Sequence, residues 1–175
     1  MKITEQIVDS GFTAIINAPI EKINLPEWAF NLSETEYQGC SPAHVAAGKT
    51  TGADGRRMSI NVEVLGGTPM VQHYQEEVSE PHHLVLTSFS DVFAPTGRFV
   101  MHVQWELSVK AISDTQCEFT NRVLTHATDD MMRGLQRQGI PFELFKTQRQ
   151  PVSFDHNRQE TPLFAASIER AALSA

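Results

Sequence analysis

The residues from Glu36 to Gly48, EYQGCSPAHVAAG, place one of the two cysteines of the chain four residues before a histidine. A cysteine and a histidine can act together as a nucleophile and its base, or as two ligands of a metal ion. Cys40 lies in a Gly-Cys-Ser-Pro sequence typical of a turn, whereas His44 follows Pro42 and begins a segment with strand character. A turn followed by a strand gives no reason for the two side chains to meet. We therefore expect Cys40 to be structural.

The seven histidines of the chain do not show the spacing of a known metal motif. His82 and His83 are adjacent and follow Pro81 in a predicted turn. His102 falls on the polar face of a predicted strand, and His126 is expected on the same side of the next strand. These positions favour surface histidines, and the sequence predicts no metal ion and no other cofactor.

The composition favours one soluble globular domain that spans residues 1–175. Hydrophobic residues make up 41% of the chain and charged residues 20%, and the net charge is −7 with no basic cluster, which argues against nucleic acid as a partner. No apolar run has the length of a signal sequence or a membrane span, and two cysteines are too few for a disulfide scaffold. A cytoplasmic protein is the simplest expectation.

Alternation of apolar and polar residues predicts a meander of antiparallel strands. The clearest case is RFVMHVQWELSVK (Arg98–Lys110), in which nearly every second residue is apolar. Short turns rich in Gly and Pro separate similar segments on both sides. The predicted strands are Phe12–Asn17, His44–Thr51, Arg57–Leu65, Met70–Val78, Leu84–Phe93, Arg98–Lys110 and Cys117–His126.

Helices are predicted between the first two strands and after the last one. Ala18–Tyr37 is expected to hold two short helices, separated or kinked at Pro26, with Ser33 and Glu36 as a capping box for the second. Thr128 is expected to cap a helix that ends at Gly139. The remaining predicted pieces are Pro141–Arg149 and a final helix that begins at Thr161-Pro162 and ends near Leu173.

This order of elements, together with SGFTAIINAPIEKI (Ser10–Ile23), resembles the START-like helix-grip (SRPBCC) superfamily and its polyketide cyclase and aromatase branch. The resemblance covers nearly the whole chain. It implies an α+β fold in which a curved seven-stranded antiparallel sheet grips a C-terminal helix. In that family the gripping helix is usually one long element, whereas Pro141, Pro151 and Pro162 predict a divided tail here. Which tail segment closes the sheet is therefore left open.

The resemblance also implies a cavity between the concave face of the sheet and the last helix. Tyr37 and His44 are expected near its entrance, with Cys40 as a neighbour. The alternative is that the inward residues pack on each other and leave no cavity. The residues predicted to contact a ligand are Met58, Ile60, Tyr74, Phe89, Met101, Trp105, Phe119, Asn121 and Phe164.

Three functions follow from this arrangement. The leading hypothesis is a protein that binds a small apolar or aromatic ligand, such as a lipid-like or polyketide-like metabolite. The second is a cyclase or dehydratase that uses the same cavity, with Tyr74, Glu76 and Asp91 as candidate acid–base groups. The third is a protein-interaction module with a solid core. A homodimer stays open, since the sequence does not determine the oligomeric state.

Overall fold

A computed structural model describes residues 1–174 and contains one seven-stranded antiparallel sheet with a long helix packed on it. The strand order is β1-β7-β6-β5-β4-β3-β2, so the meander of β2 to β7 is closed by β1 beside β7. The predicted α+β helix-grip class is confirmed. The strands are β1 (Ile3–Ile16), β2 (His44–Thr51), β3 (Arg57–Leu65), β4 (Thr68–Glu80), β5 (His83–Ala94), β6 (Gly97–Ser113) and β7 (Gln116–Thr128).

The strands extend further than the local sequence pattern predicted. β1 begins at Ile3 rather than near Phe12, and its pairing with β7 continues to Thr128. Its first residues have no clean alternation, so hydrogen bonds to the neighbouring strand decide their conformation rather than local preference. The bounds of β2 and β3 agree with the predicted ones.

The segment between β1 and β2 forms a 3-10 turn at Ile20–Lys22 and the helices α1 (Leu25–Asn31) and α2 (Glu34–Gly39). The predicted cap of α2 is confirmed, because the Ser33 hydroxyl accepts a hydrogen bond from the Glu36 N–H at 3.2 Å. The prediction that Pro26 separates or kinks the two helices is wrong. Pro26 lies in the first turn of α1, where its missing N–H costs no intrahelical hydrogen bond.

Helix α3 (Asp129–Gln138) begins and ends where the sequence indicates. The Thr128 hydroxyl accepts a hydrogen bond from the Met131 N–H at 3.2 Å, which caps the first turn. Gly139 ends the helix with φ 66°, a left-handed conformation that glycine adopts without a steric penalty.

The C-terminal segment is one continuous helix, α4 (Phe142–Ser174), and the predicted division into two pieces is wrong. Pro151 and Pro162 lie inside this helix with their rings exposed. Thr161 is not a cap. Its buried hydroxyl donates to the Asn157 carbonyl at 2.6 Å, as an interior threonine does. A single helix of this length spans roughly 50 Å, so it closes the sheet alone.

The buried apolar residues form two clusters beneath α4. One surrounds Trp28, Trp105 and Phe164, and the other surrounds Met101 and Met131. Helix α4 packs mainly on β1 and also approaches β7 and β3. No helix within residues 1–174 is both long and apolar enough to cross a membrane.

Candidate functional site

A small cavity of about 40 Å³ lies between the inner face of the sheet and α4, where the two apolar clusters meet. A volume of this size holds about three water molecules. One wall is apolar and aromatic and the other is polar. The apolar wall includes Met70, Tyr74, Met101, Val103, Trp105 and Phe164, and the polar wall includes Glu63, Gln72, Arg149, His156 and Glu160.

A wider cleft of about 220 Å³ adjoins the cavity. It is bounded by the β3–β4 turn around Gly66, by the β5 and β6 ends around Phe99, and by Val152 on α4. Leu65, Met101 and Arg149 line both spaces. The cleft therefore adjoins the cavity on the side of Arg149, which belongs to the polar wall.

The polar wall is built around Glu160 on α4. Its Oε2 atom lies 3.2 Å from Nε2 of His44 on β2 and 3.1 Å from Nε2 of His156, one helical turn earlier on α4. Oε2 of Glu63 on β3 lies 3.8 Å from the same His156 nitrogen. These four side chains are at most 12% exposed, so their charges are compensated within the protein and not by solvent.

The remaining polar atoms of these four side chains are also hydrogen-bonded. His44 Nδ1 lies 2.7 Å from the Tyr37 carbonyl, and the Tyr37 hydroxyl donates to Glu63 Oε1 at 2.9 Å. The Tyr37 ring stacks on the His44 ring with centroids 3.8 Å apart. Tyr37 therefore fixes the orientation of both side chains, and the four groups form one connected network that we call the His–Glu cluster (His44, Glu63, His156 and Glu160).

The electrostatics of the cluster favour a protonated His156 beside an ionised Glu160. Burial alone lowers the pKa of His156, but the hydrogen bond to Glu160 and the nearby carboxylates outweigh it and raise that pKa to about 9. Burial likewise raises the pKa of Glu160, but hydrogen bonds from His156 and His44 outweigh it and lower that pKa to about 2. The pair is therefore a buried ion pair at neutral pH.

Asn121 joins the cluster to the aromatic wall. Its side-chain oxygen accepts a hydrogen bond from Trp105 Nε1 at 2.8 Å, and its side-chain nitrogen donates to Glu160 Oε1 at 3.1 Å and to the Thr161 hydroxyl at 3.2 Å. Asn121 was predicted as a ligand contact. It lies behind the cavity wall and positions Glu160 and Trp105.

Two polar groups of the wall lack ordinary partners. Gln72 is 4% exposed, and its Oε1 atom accepts no hydrogen bond from any residue within 1–174. The Arg149 guanidinium donates to the Leu65 carbonyl at 3.3 Å and contacts the Met70 sulfur at 2.9 Å, and it forms no ion pair within the same residues. Burial lowers the pKa of Arg149. Polar groups of this kind favour a ligand or water as the missing partner.

Apart from Asn121, the predicted ligand residues separate into three groups. Tyr74, Met101, Trp105 and Phe164 line the cavity, and their contact with a ligand stays a prediction. Phe119 is fully buried in the apolar core and does not line it. Met58, Ile60 and Phe89 were placed on the wrong face of the sheet.

The error on β3 has a physical reason. Ser59, Asn61 and Glu63 face inward, and the more apolar set that includes Met58 and Ile60 lies partly exposed on the outer face. Alternation identifies a strand, but it assigns the apolar face to the core only where the interior is apolar. Here the interior holds the His–Glu cluster. On β5, Phe89 is 45% exposed on the outer face.

The three predicted acid–base groups also separate. Tyr74 lies in the cavity, and burial followed by the charges of Glu63 and Glu160 raises its pKa well above the usual value, which keeps the hydroxyl protonated. Glu76 is bound by Arg57 away from the cavity, through the backbone N–H at 2.9 Å and Nε at 3.1 Å. Asp91 pairs with Arg98 on the outer face. Neither carboxylate reaches the cavity.

The structure agrees with the interpretation of Cys40 as structural. The thiol is buried, and burial, followed by the charges of Glu36 and Glu160, raises its pKa to about 11. His44 instead faces Glu160 and stacks on Tyr37. A protonated thiol with no base beside it is a poor nucleophile.

The sequence reasoning missed Glu63, Arg149, His156 and Glu160. One available signal was the spacing of His156 and Glu160, since residues four apart lie on the same face of a helix. Because the helix was predicted to stop at Arg149 and to start again at Thr161, His156 and Glu160 were not recognised as neighbours on one helix face. His44 was placed near a cavity entrance, whereas its side chain is fully buried in the cluster.

Comparison with known proteins identifies structures that share the fold, but none with a close sequence relationship. No protein-family model and no curated protein matches the sequence. Among solved structures, the chain is similar to the Zhui aromatase/cyclase from Streptomyces sp. R1128, with 10% identity, a TM-score of 0.60 and coverage of 95% of this chain and 91% of that one.

Two further structures are similar over comparable lengths. A START superfamily protein from Mycobacterium smegmatis is 12% identical with a TM-score of 0.54, covering 95% of this chain and 97% of that one. Norcoclaurine synthase from Thalictrum flavum is 11% identical with a TM-score of 0.51, covering 95% and 87%. The chain thus has the helix-grip fold that these structures share.

Proposed function

We propose that the protein binds a small amphipathic molecule between the sheet and α4. The apolar or aromatic part of the ligand packs on the wall around Trp105, and its polar part reaches Gln72 and the His–Glu cluster. The observation that carries this proposal is the buried Oε1 atom of Gln72, which lines the cavity and accepts no hydrogen bond within residues 1–174. A buried polar atom without a partner costs free energy that a bound ligand recovers.

The size of the cavity limits how the ligand fits. Ligand pockets usually measure about 300 to 1,000 Å³, whereas the inner cavity measures about 40 Å³ and the adjoining cleft about 220 Å³. The ligand therefore occupies both spaces. Met101 and Arg149 lie at their junction, and both side chains are long and flexible enough to move aside.

Binding of the fluorescent probe 1-anilinonaphthalene-8-sulfonate tests this proposal, because the probe combines an apolar ring system with an anionic group. We expect its fluorescence to increase when it binds to the protein. Ser153 lines the inner cavity from α4 and is only partly buried. We expect Ser153→Phe to fill the space and to weaken probe binding about tenfold or more, which corresponds to the loss of roughly 1.4 kcal/mol of binding free energy.

Gln159→Phe provides the matched control, because it adds the same ring to the exposed face of the same helix. Its probe affinity should equal that of the unsubstituted protein. Cooperative thermal unfolding of both variants excludes probe binding by a loosened core. Equal affinity in Ser153→Phe and Gln159→Phe, or no binding by the folded protein, would contradict the proposal.

A cyclase or dehydratase that uses the same cavity is the second candidate. The observation that favours it is that the Tyr74 hydroxyl and the carboxylates of Glu63 and Glu160 line the same small space as the apolar wall. The protonated Tyr74 hydroxyl can donate a hydrogen bond to the carbonyl of a bound substrate and polarise it, and a carboxylate beside it can accept a proton from the substrate. The solid core assumed for an interaction module is less compatible with the unpartnered Gln72.

Tyr74→Phe separates binding from turnover, because it keeps the ring and removes only the hydroxyl. Native mass spectrometry of each protein, purified from its own cells, identifies the retained molecule. An enzyme predicts an unreacted molecule on Tyr74→Phe and a product lighter by one water on the unsubstituted protein. The same molecule on both proteins would favour binding without turnover.

A further inference from the structure

Three side chains of the His–Glu cluster, His44, Glu63 and His156, have the arrangement of a metal site, and the fourth, Glu160, contacts both histidines. Each has one polar atom held by the surrounding protein and one atom directed toward the others. Besides the contacts of His44 and Glu63 with Tyr37, His156 Nδ1 lies 3.3 Å from the Ser41 hydroxyl and Glu160 Oε1 accepts from Asn121 at 3.1 Å. Outer contacts of this kind orient the ligands of protein metal sites.

The hydrogen bond of His44 leaves its second nitrogen available as a ligand. The Tyr37 carbonyl only accepts hydrogen bonds, so the proton of a neutral His44 lies on Nδ1, 2.7 Å from that oxygen. Nε2 then carries a lone pair, and it lies 3.2 Å from the Glu160 carboxylate oxygen. Two electron-rich atoms at this distance need a positive charge between them, which is the proton of the His44–Glu160 hydrogen bond in the metal-free protein or a metal ion in its place.

The distances between the converging atoms suit one metal ion. Four ligands at about 2.0 to 2.2 Å from a tetrahedral ion are about 3.3 to 3.6 Å apart. The separations here are 3.1, 3.2 and 3.8 Å. His44, Glu63 and His156 each offer one ligand atom, and these atoms lie within 4.8 Å of one another. Two carboxylates also balance the charge of a divalent cation.

We propose that His44, Glu63, His156 and Glu160 bind a divalent first-row transition-metal ion at the polar end of the cavity. Two imidazoles and two carboxylates are ligands that such ions accept, and the ion replaces the proton that His156 Nε2 shares with Glu160 in the metal-free protein. The sequence predicted no metal site, because its histidines lack the spacing of a known metal motif and nothing in it placed His156 beside His44. The proposal differs from that expectation. It does not rest on the binding of an organic ligand, since the four side chains alone form the site.

Calorimetric titration of the chelator-treated protein with Zn²⁺ tests the proposal. We expect about one ion per chain, and a Co²⁺ complex with the intense visible absorption of four-coordinate cobalt. His156→Gln and Glu63→Gln each remove one ligand and should weaken Zn²⁺ binding roughly 100-fold or more. Circular dichroism and cooperative unfolding establish that these variants are folded.

His83→Gln is the matched control. His83 also contacts a carboxylate, Glu106, with 2.9 Å between Nε2 and Oε1, but this pair lies on the partly exposed outer side of the sheet. Zn²⁺ affinity should not change in this variant. Failure of the unsubstituted protein to bind either ion, or equal losses in His83→Gln and His156→Gln, would overturn the metal site.

The experiments distinguish the proposal of a metal site from the proposal of a ligand site. Loss of Zn²⁺ binding in Glu63→Gln supports the metal site whether or not this variant still binds the fluorescent probe, because Glu63 also lines the cavity. Probe binding without any metal uptake leaves the ligand site intact and overturns the metal proposal.

Discussion

Individual residues of the interior carry more charge than a protein core ordinarily tolerates. Glu63, His156 and Glu160 lie around one cavity with little exposure, and Arg149 lies at its edge. Buried ion pairs seldom add stability compared with apolar residues of similar size, because both charges lose their hydration. Their presence beside an unpartnered Gln72 therefore favours a functional site over a purely structural one.

Glu76 is a carboxylate outside the cavity, and its contacts differ from those of Glu63 and Glu160. Burial raises its pKa, but hydrogen bonds from Arg57 and Ser79 and the charge of Arg57 outweigh that effect and hold the pKa below its usual value. A carboxylate whose pKa is lower in the folded state stabilises the protein above its unfolded-state pKa of about 4.5, and this contribution is lost as the pH falls through the folded-state value.

We therefore expect Glu76→Gln to lower the free energy of unfolding by about 1 kcal/mol near neutral pH. The difference from the unsubstituted protein should shrink as the pH falls from about 5 towards 3. Urea denaturation at each pH measures it. Glu5→Gln, at an exposed residue without an ion pair within 1–174, is the control and should show no such trend. A difference that is constant with pH would exclude this ionic contribution.

At the scale of elements, α4 determines the site more than any strand does. Its continuity from Phe142 to Ser174 places Arg149, His156 and Glu160 along one side of the cavity. Pro151 and Pro162 each lack the N–H that would bond to the carbonyl four residues earlier. The burial of residues such as Phe164 and Ile168 against the sheet offsets that cost.

The exposed Pro162 gives a direct measure of this cost. Pro162→Ala restores an N–H in the helix interior, and we expect it to raise the free energy of unfolding by about 1 to 2 kcal/mol, after the increase in unfolded-state entropy is subtracted. Ala166→Gly, at an exposed position one turn later, should lower it by about 1 kcal/mol. A lower stability of Pro162→Ala would show that the proline ring itself contributes to the packing of α4.

At the scale of the whole molecule, the cavity lies where two apolar clusters meet. Trp105 connects the aromatic core to the His–Glu cluster. Its ring packs near Trp28, Tyr74 and Phe164, and its N–H donates a hydrogen bond to Asn121, which contacts Glu160. Loss of this side chain therefore disturbs the core and the orientation of the His–Glu cluster together.

Trp105→Ala should lower the free energy of unfolding by about 3 to 5 kcal/mol. Phe89→Ala removes an aromatic ring that is 45% exposed on the outer face of the sheet, and its effect should stay below about 1 kcal/mol. Thermal and urea denaturation of both variants measure the difference. Equal losses would contradict the inward and outward positions of these two rings.

The sequence by itself determined the order of the strands and most of their bounds, and its resemblance to a known superfamily indicated the fold class. Alternation within Arg98–Lys110 and the caps at Ser33 and Thr128 are local properties, so they could be predicted without neighbours. The continuity of α4 and the inward face of β3 could not, because contacts between distant segments offset the cost of two prolines and place polar residues inside. Only the tertiary structure brought His44, Glu63, His156 and Glu160 together, since a site assembled from three elements leaves no single motif in the chain.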